Sequence, residues 1–297
     1  MDGEGSLNEG RGHVPVMVSE VVAGLNVRPG GLYVDLTVGL GGHAAVLAEA
    51  VGPTGRVIGL DQDPAALARA TERLNFWADR VRLAAGNFER FDEILALQPA
   101  SVDGILADLG VSSLQLDEAS RGFGFSREGP LDMRMGPTGE TALEYLKRVD
   151  PEELEGVLRE AGEERFARKL VARLKEHAHG WSTTKDLADA VCRWIPRRGR
   201  SHPATRVFLA LRMAVNREMP RLREMLGRAP GVLKPGGRLA VITFHSTEDR
   251  VVKRYGKDQW REGPLRAVNK KVLVASRDEQ RGNPRSRSAK LRVFEKI

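Results

Sequence analysis

Leu32-Tyr33-Val34-Asp35-Leu36-Thr37-Val38-Gly39-Leu40-Gly41-Gly42-His43 is a short β-rich run that ends in an acid and is followed four residues later by a glycine turn. Small residues, Ala44, Ala45, Val46, Leu47 and Ala48, then open a helix. Glycine suits such a turn because its backbone reaches φ/ψ values closed to other residues and can approach a ligand without a Cβ in the way. The helix N-terminus behind the turn leaves unpaired N–H groups facing whatever lies in front of it.

Outward from this stretch the strand–helix rhythm repeats. A second strand, Arg56-Val57-Ile58-Gly59-Leu60, ends in Asp61, 22 residues after Gly39, where an acid can accept both hydroxyls of a ribose. Asp63-Pro64 supplies an N-cap and a proline at the first helical position, predicting a helix to about Phe76. A third strand over 80–85 leads to a loop carrying Phe88, and a helix over 90–97 leads to a fourth strand, 102–108, ending in Asp108. On the N-terminal side, an apolar helix through Val21, Val22 and Leu25 stops before Pro29-Gly30-Gly31. The alternation predicts an α/β fold: a mostly parallel sheet with helices on both faces, binding its ligand beyond the C-terminal ends of the strands.

After Asp108 the rhythm changes. Thr141-x-x-Glu144 and Asp150-Pro151-Glu152-Glu153 resemble capping boxes, and helices are predicted at about 151–161, 163–177, 184–195 and 205–228. A strand pattern returns at Arg238–Phe244 after the turn Lys234-Pro235-Gly236-Gly237. Residues 112–203 therefore read as a helical insertion for substrate recognition, between strands four and five of a discontinuous nucleotide-binding domain, 13–111 and 204–297, with 1–12 as a disordered lead-in.

Composition narrows the class. Forty-one per cent hydrophobic residues can build a core, and 47 Lys and Arg against 40 Asp and Glu give a net charge of +7, compatible with a polyanionic partner. A single cysteine, Cys192, excludes an internal disulfide and a multi-cysteine zinc site; it lies in an apolar helical stretch, is expected to be buried, and makes a reducing cytoplasm the default. The N-terminus lacks a basic-then-apolar signal pattern, and no apolar run approaches the ~20 residues of a membrane span. No metal is expected, because His43 and His245 have no company of metal-ligand type.

The four strand ends bring Asp35, Asp61, Asp108 and His245-Ser246 to one crevice, with Phe88 placed to pack on a purine. Read as Gly39-x-Gly41-x-x-Ala44, the turn satisfies the loose dinucleotide pattern. Asp35, however, stands where a nicotinamide fingerprint keeps an apolar residue, and with Asp61 it makes the stretch resemble class I S-adenosylmethionine-dependent methyltransferases. Asp108-Leu109-Gly110-Val111 then falls where amino-methyltransferases of that class carry their acceptor box, though the Pro-Pro-aromatic part is missing. An exocyclic amine is a poor nucleophile, and an acceptor for its hydrogens favours the pyramidal, positively charged transition state. Asp108 can serve that role or can hold the cofactor's amino end; His43 can cap its helix or touch the cofactor.

Longer strings are more specific. Asp108-Leu109-Gly110-Val111-Ser112-Ser113, Arg121-Gly122-Phe123-Gly124-Phe125, Gly129-Pro130-Leu131-Asp132-Met133-Arg134-Met135 and His202-Pro203-Ala204-Thr205-Arg206 resemble the bacterial MraW/RsmH family. So do Gly162-Glu163-Glu164-Arg165-Phe166-Ala167, Phe244-His245-Ser246-Thr247-Glu248-Asp249-Arg250 and the stretch Asn283–Arg292. The resemblance implies a class I (Rossmann-like) fold with a helical insertion, S-adenosyl-L-methionine as cofactor, and N4-methylation of a cytidine in the decoding region of 16S ribosomal RNA. By position it implicates Gly41, Gly42 and His43 in the glycine loop, Asp61 at the ribose, Phe88 near the adenine, and Asp108 and Gln115 just beyond strand four. Leu36, Leu40 and Thr247 depart from the family's usual residues.

Two arginine-rich runs without acids flank the crevice. Ala190–Arg217 holds Arg193, Arg197, Arg198, Arg200, Arg206, Arg212 and Arg217, and Gln280–Phe294 holds Arg281, Arg285, Arg287, Lys290 and Arg292. Arginine binds phosphate bidentately and stacks on bases, so Arg197, Arg198, Arg200, Arg206, Arg285 and Arg287 are candidate contacts to 16S ribosomal RNA or the small ribosomal subunit. Trp181, Trp194 and Trp260 read as core or semi-buried residues. C5 methylation is set aside because the only thiol lies away from every strand-end motif. A nicotinamide-dependent oxidoreductase and an RNA-binding assembly factor with a vestigial fold remain as rival functions, and the oligomeric state, monomer or homodimer, is open.

Overall fold

The computed structural model describes residues 14–163, 165–197 and 202–297; the lead-in 1–12, His13, Glu164, Arg198 and Arg200 lie outside the described residues. Eight strands form one sheet: β1 (Leu32–Asp35), β2 (Arg56–Asp61), β3 (Val81–Ala85), β4 (Val102–Asp108), β5 (Leu233–Thr243), β6 (Leu265–Ala267), β7 (Leu273–Val274) and β8 (Lys290–Lys296). Their order is β3-β2-β1-β4-β5-β8-β6, with β7 also on β8. The first five strands pair in parallel, while β8 runs antiparallel to β5, β6 and β7. This is the expected Rossmann-like sheet, and the chain order reverses direction between β1 and β4, where such folds open a crevice.

The central strands are buried on both faces, which is why Val34, Ile105 and Leu106 are apolar and fully buried. One face packs on the Val18–Leu25 and Gly42–Ala50 helices through Val21, Leu25 and Leu47. The other packs on the Glu218–Val232 and Ser246–Glu262 helices, and the same apolar cluster continues into helices that follow β4. Those are Ala142–Arg148, Pro151–Glu160, Ala167–His177 and Thr184–Trp194. Their buried residues Leu146, Leu158 and Leu174 belong to the same apolar cluster as Ile105 and Leu211, so this segment shares its core with the sheet.

Local signals set most boundaries. Asp63 accepts the Ala65 N–H with Pro64 at the first helical position, and Thr141 and Glu144 form a reciprocal capping box. At Asp150 the cap is simpler than expected: its carboxylate accepts the Glu152 N–H, while Glu153 instead accepts the Tyr145 hydroxyl at 3.1 Å. The helix expected over 205–228 is two helices, Thr205–Val215 and Glu218–Val232, with Arg217 at φ +50° between them. The break is tertiary in origin: the Asn216 amide donates to the Met133 carbonyl at 2.7 Å and accepts the Met135 N–H at 2.8 Å.

Two further expectations are corrected. Cys192 is exposed, because the Thr184–Trp194 helix turns Ala188 and Val191 inward and the next residue outward; its Sγ lies 3.4 Å from His202 Nε2. Trp260 is 63% exposed, whereas Trp181 and Trp194 are half-buried and pack on each other at 5.9 Å.

Candidate active site

At the C-terminal ends of β1, β2 and β4 the structure opens a cavity of about 300 Å³. Gly42, His43, Asp61, Phe88, Asp108 and Gln115 line it, as does Arg285. Asp35 and Gly41 stand behind it instead. Gly41 sits at φ +78° as the N-cap of its helix, and a Cβ there would lie 3.1 Å from Leu74, so its role is to let the turn pack on the neighbouring Pro64–Leu74 helix. Gly59 of β2 serves similarly: an added Cβ would meet Val38 of the glycine loop at 2.8 Å.

Asp61 organises this turn. Its Oδ2 accepts the Gly39 N–H at 2.8 Å and its Oδ1 the Asp63 N–H at 2.9 Å. Burial raises its pKa, and these two N–H groups oppose the rise. Each carboxylate oxygen keeps a second lone pair, so the residue can still accept from a ligand.

Deeper in, Asp35, His43 and Asp108 form a set of neighbouring ionisable groups. Burial pushes the Asp35 carboxyl up to about 7, against the pull of His43 and of the Thr37 N–H. His43 Nε2 lies 3.5 Å from Asp108 Oδ2, an ion-pair distance rather than a formed hydrogen bond. Burial disfavours a charged His43, but Asp108 and then Asp35 outweigh it, and the pKa is raised. Asp35 Oδ2, His43 Nε2 and Asp108 Oδ1 are buried polar atoms that lack a hydrogen-bond partner among the described residues. Such atoms are costly unless something satisfies them, and two of the three belong to residues that line the cavity.

Gln115 is fixed from three sides. It is the third residue of a capping box with Ser112, and its amide donates to Asp63 Oδ2 at 3.0 Å and to the Met135 carbonyl at 3.4 Å. Arg121 also reaches Asp63 Oδ2, at 2.8 Å. Phe88 opens a short 3₁₀ turn after β3, beside Asn87, whose amide donates to Gln62.

Across the cavity lies a cluster that sequence reading had not assembled. Arg212 binds Glu218 through two parallel hydrogen bonds of 2.7 and 2.8 Å, and its Nη2 lies 3.8 Å from Glu248 Oε1. His245 Nε2 is 3.0 Å from the same Glu248 oxygen, while Glu248 Oε2 accepts the Phe244 N–H at 2.8 Å. Burial opposes ionisation of Glu248, but His245 and then Arg212 hold its pKa below the usual carboxylate value. Ligand atoms of Glu218, His245 and Glu248 lie within 4.8 Å of one another, a spacing that suits a cation, and the Arg212 guanidinium is the cation they face. The Phe244-His245-Ser246-Thr247-Glu248 string was the available signal; its partners Arg212 and Glu218, 26 or more residues earlier, were not.

The candidate RNA-binding arginines are dispersed. Arg285 bonds the Ser113 hydroxyl and approaches Asp117 at 3.9 Å, at the cavity's edge. Arg206 is exposed and pairs with Glu163 at 3.5 Å. Arg287 donates to the Gln280 carbonyl at 3.2 Å, and Arg197 is exposed. No helix among the described residues is long and apolar enough to cross a membrane.

Comparison with known proteins gives one answer. A family model described as the MraW methylase family matches residues 10–297. A protein of Hydrogenovibrio crunogenus named ribosomal RNA small subunit methyltransferase H is 46% identical over 305 residues, covering 96% of each chain. Proteins of the same name from an Anaeromyxobacter species and a Cyanothece species are also 46% identical, over 96% of this chain and 98% and 95% of theirs.

Proposed function

The chain belongs to the MraW methylase family, and from that premise we propose that it transfers a methyl group from S-adenosylmethionine to N4 of a cytidine in the decoding region of 16S ribosomal RNA. The observation that carries the reading is Asp108 Oδ1, a buried acceptor without a hydrogen-bond partner among the described residues, on a residue that lines the cavity at the end of β4.

The residues around it fit the cofactor. Asp61, held by the Gly39 and Asp63 N–H groups, would accept two ribose hydroxyls with its free lone pairs. Phe88 would pack on the adenine, and the glycine turn lets the backbone come close beside it. Gly42 and His43, in the first turn of the Gly42–Ala50 helix, would complete that wall, with Asp35 and Gly41 behind. When bound, S-adenosylmethionine supplies a methyl group on a positively charged sulfur that is open to direct displacement.

The chain's own work is then alignment and charge. Asp108 would accept a hydrogen of the cytidine amine and stabilise positive charge as it develops on N4. His43, 3.5 Å from the other Asp108 oxygen, would hold that carboxylate in orientation. Gln115, clamped by Ser112 and Asp63, would fix the wall beyond β4 against which the base enters. We assign RNA recognition to segment 112–203 and to Arg197, Arg198, Arg200, Arg206, Arg285 and Arg287.

The direct test is mass spectrometry of 16S RNA from cells with and without the protein. A missing methyl group on one cytidine N4, restored by the intact gene, is the expected result. RNA of identical mass in both strains would favour the non-enzymatic assembly factor. Thermal stabilisation by S-adenosylmethionine but not by NAD separates the reading from an oxidoreductase.

A further inference from the structure

A second hollow, of about 440 Å³, shares no lining residue with the cavity above. It lies between the second half of the Ser246–Glu262 helix, β6 with the segment after it, and β8. Lys253, Lys257 and Arg261 recur every four residues and so form one stripe along the helix. Lys270 and Lys271, between β6 and β7, line the same hollow, and no Asp or Glu among the described residues does. Among the described residues, none of these five cations makes an ion pair or a side-chain hydrogen bond. Gly256 brings the helix close to β8: a Cβ there would sit 2.4 Å from the Phe294 ring, which forms part of the floor.

At the rim stands Trp260, 63% exposed. The Arg266 guanidinium lies 5.4 Å from its ring centroid and is itself anchored to the carbonyls of Gln259, Gly263 and Leu265. The indole is thus held from one side and presented to solvent on the rest of its surface. Five cations without counter-ions repel one another, a cost that an anionic partner relieves. Cations beside an exposed aromatic ring are the combination that binds single-stranded nucleic acid, through phosphate contacts and base stacking.

We propose that this hollow is a second RNA-contact surface, which takes a single-stranded stretch of the substrate RNA with a base stacked on Trp260. The proposal rests on the RNA-methylating reading above. Geometry makes one continuous substrate feasible: Glu248 lines the catalytic cavity, and Lys257 to Trp260 follow on the same helix, about 14–18 Å along its axis.

The experiment measures binding of a fluorescently labelled single-stranded RNA and of a duplex of equal length, across a salt series, alongside methylation of a 16S transcript. Replacing Lys257, Lys270 and Lys271 together by Gln should lower the salt slope for the single strand by up to about two units. Trp260→Ala should weaken single-strand binding by about tenfold, leave the duplex unaffected, and be partly rescued by Trp260→Phe. Unchanged S-adenosylmethionine affinity shows that the variants are folded. If the wild type methylates the transcript but both variants bind single-stranded RNA with wild-type affinity and slope, the surface is wrong and the function stands. Loss of duplex and single strand alike on Trp260→Ala, or stronger binding of anionic phospholipid vesicles than of RNA, would also overturn it. If the wild type binds RNA through these residues but transfers no methyl group, the functional reading fails instead.

Discussion

Asp61 holds the glycine turn, and the proposed function gives it a second duty at the ribose. Its carboxylate holds the glycine turn through Gly39 and Asp63, and its remaining lone pairs are the proposed ribose acceptors. Asp61→Ala removes both, so cofactor affinity should fall by at least the tenfold to hundredfold expected for a charge-assisted hydrogen bond of about 1.5–3 kcal/mol. Calorimetry on the folded variant checks this; unchanged affinity would remove Asp61 from the site. At Asp108 the question is role. Asp108→Asn keeps the shape and removes the charge, so the single-turnover rate at saturating cofactor and RNA should drop by about 10²-fold or more, since comparable electrostatic groups contribute about 2.7–4 kcal/mol. A rate restored by saturation would assign Asp108 to cofactor binding alone. Asp35 supplies a pH signature. Its folded pKa, about 7, lies above the unfolded value of 3.8, so the folded state binds the extra proton between those limits. Its contribution to stability is therefore complete below pH 3.8 and is lost as pH rises towards 7, at a slope of up to about 1.4 kcal/mol per unit. Asp35→Asn should gain stability over the wild type above pH 7 and lose that advantage near pH 4, as read by denaturant unfolding at each pH.

At the scale of elements, the joint at Asn216-Arg217 shows what a sequence conceals. Phe208, Leu211, Val215, Leu222 and Leu226 recur at helical spacing straight across it, so the stripe reads as one helix. Only the three-dimensional partner reveals the break: Asn216 serves as the hydrogen-bond complement of Met133 and Met135, more than 80 positions earlier. Asn216→Ala would orphan one buried N–H and one buried carbonyl. At roughly 1–3 kcal/mol for each, the variant should be severely destabilised, which urea unfolding will report. A smaller change would mean that the two helices can straighten and satisfy those groups otherwise. By contrast, the strand ends were legible because parallel strands buried on both faces are continuous apolar runs that stop at an acid, as at Asp61 and Asp108. The Asp63-Pro64 and Thr141-x-x-Glu144 signals were legible for the same reason: a cap is a contact between near neighbours in the chain.

Charge, at the scale of the whole molecule, is where linear reading loses most. The two arginine runs contain no acid in sequence, yet Arg206 meets Glu163, Arg212 meets Glu218, and Lys290 and Arg292 both meet Asp249. Partners drawn from other elements neutralise part of each run, and the side chains left to meet phosphate are fewer than the sequence suggests. Conversely, the unpaired cations around Trp260 are scattered between Lys253 and Lys271 and do not read as a run. The net charge of +7 thus does not say which cations are left to meet phosphate. Arg197 is exposed, and with Arg198 and Arg200 it forms the densest part of the first run. Each phosphate neutralised by such a side chain releases condensed counter-ions, which makes affinity fall as salt rises. Replacing these three arginines together by glutamine should lower the salt slope by up to about one unit per lost contact, weaken binding uniformly across RNA sequences, and leave S-adenosylmethionine affinity intact. Binding isotherms over a series of salt concentrations measure it. A slope equal to that of the wild type would reduce the run to solvated surface and leave RNA recognition to the cavity edge around Arg285 and the surface around Trp260.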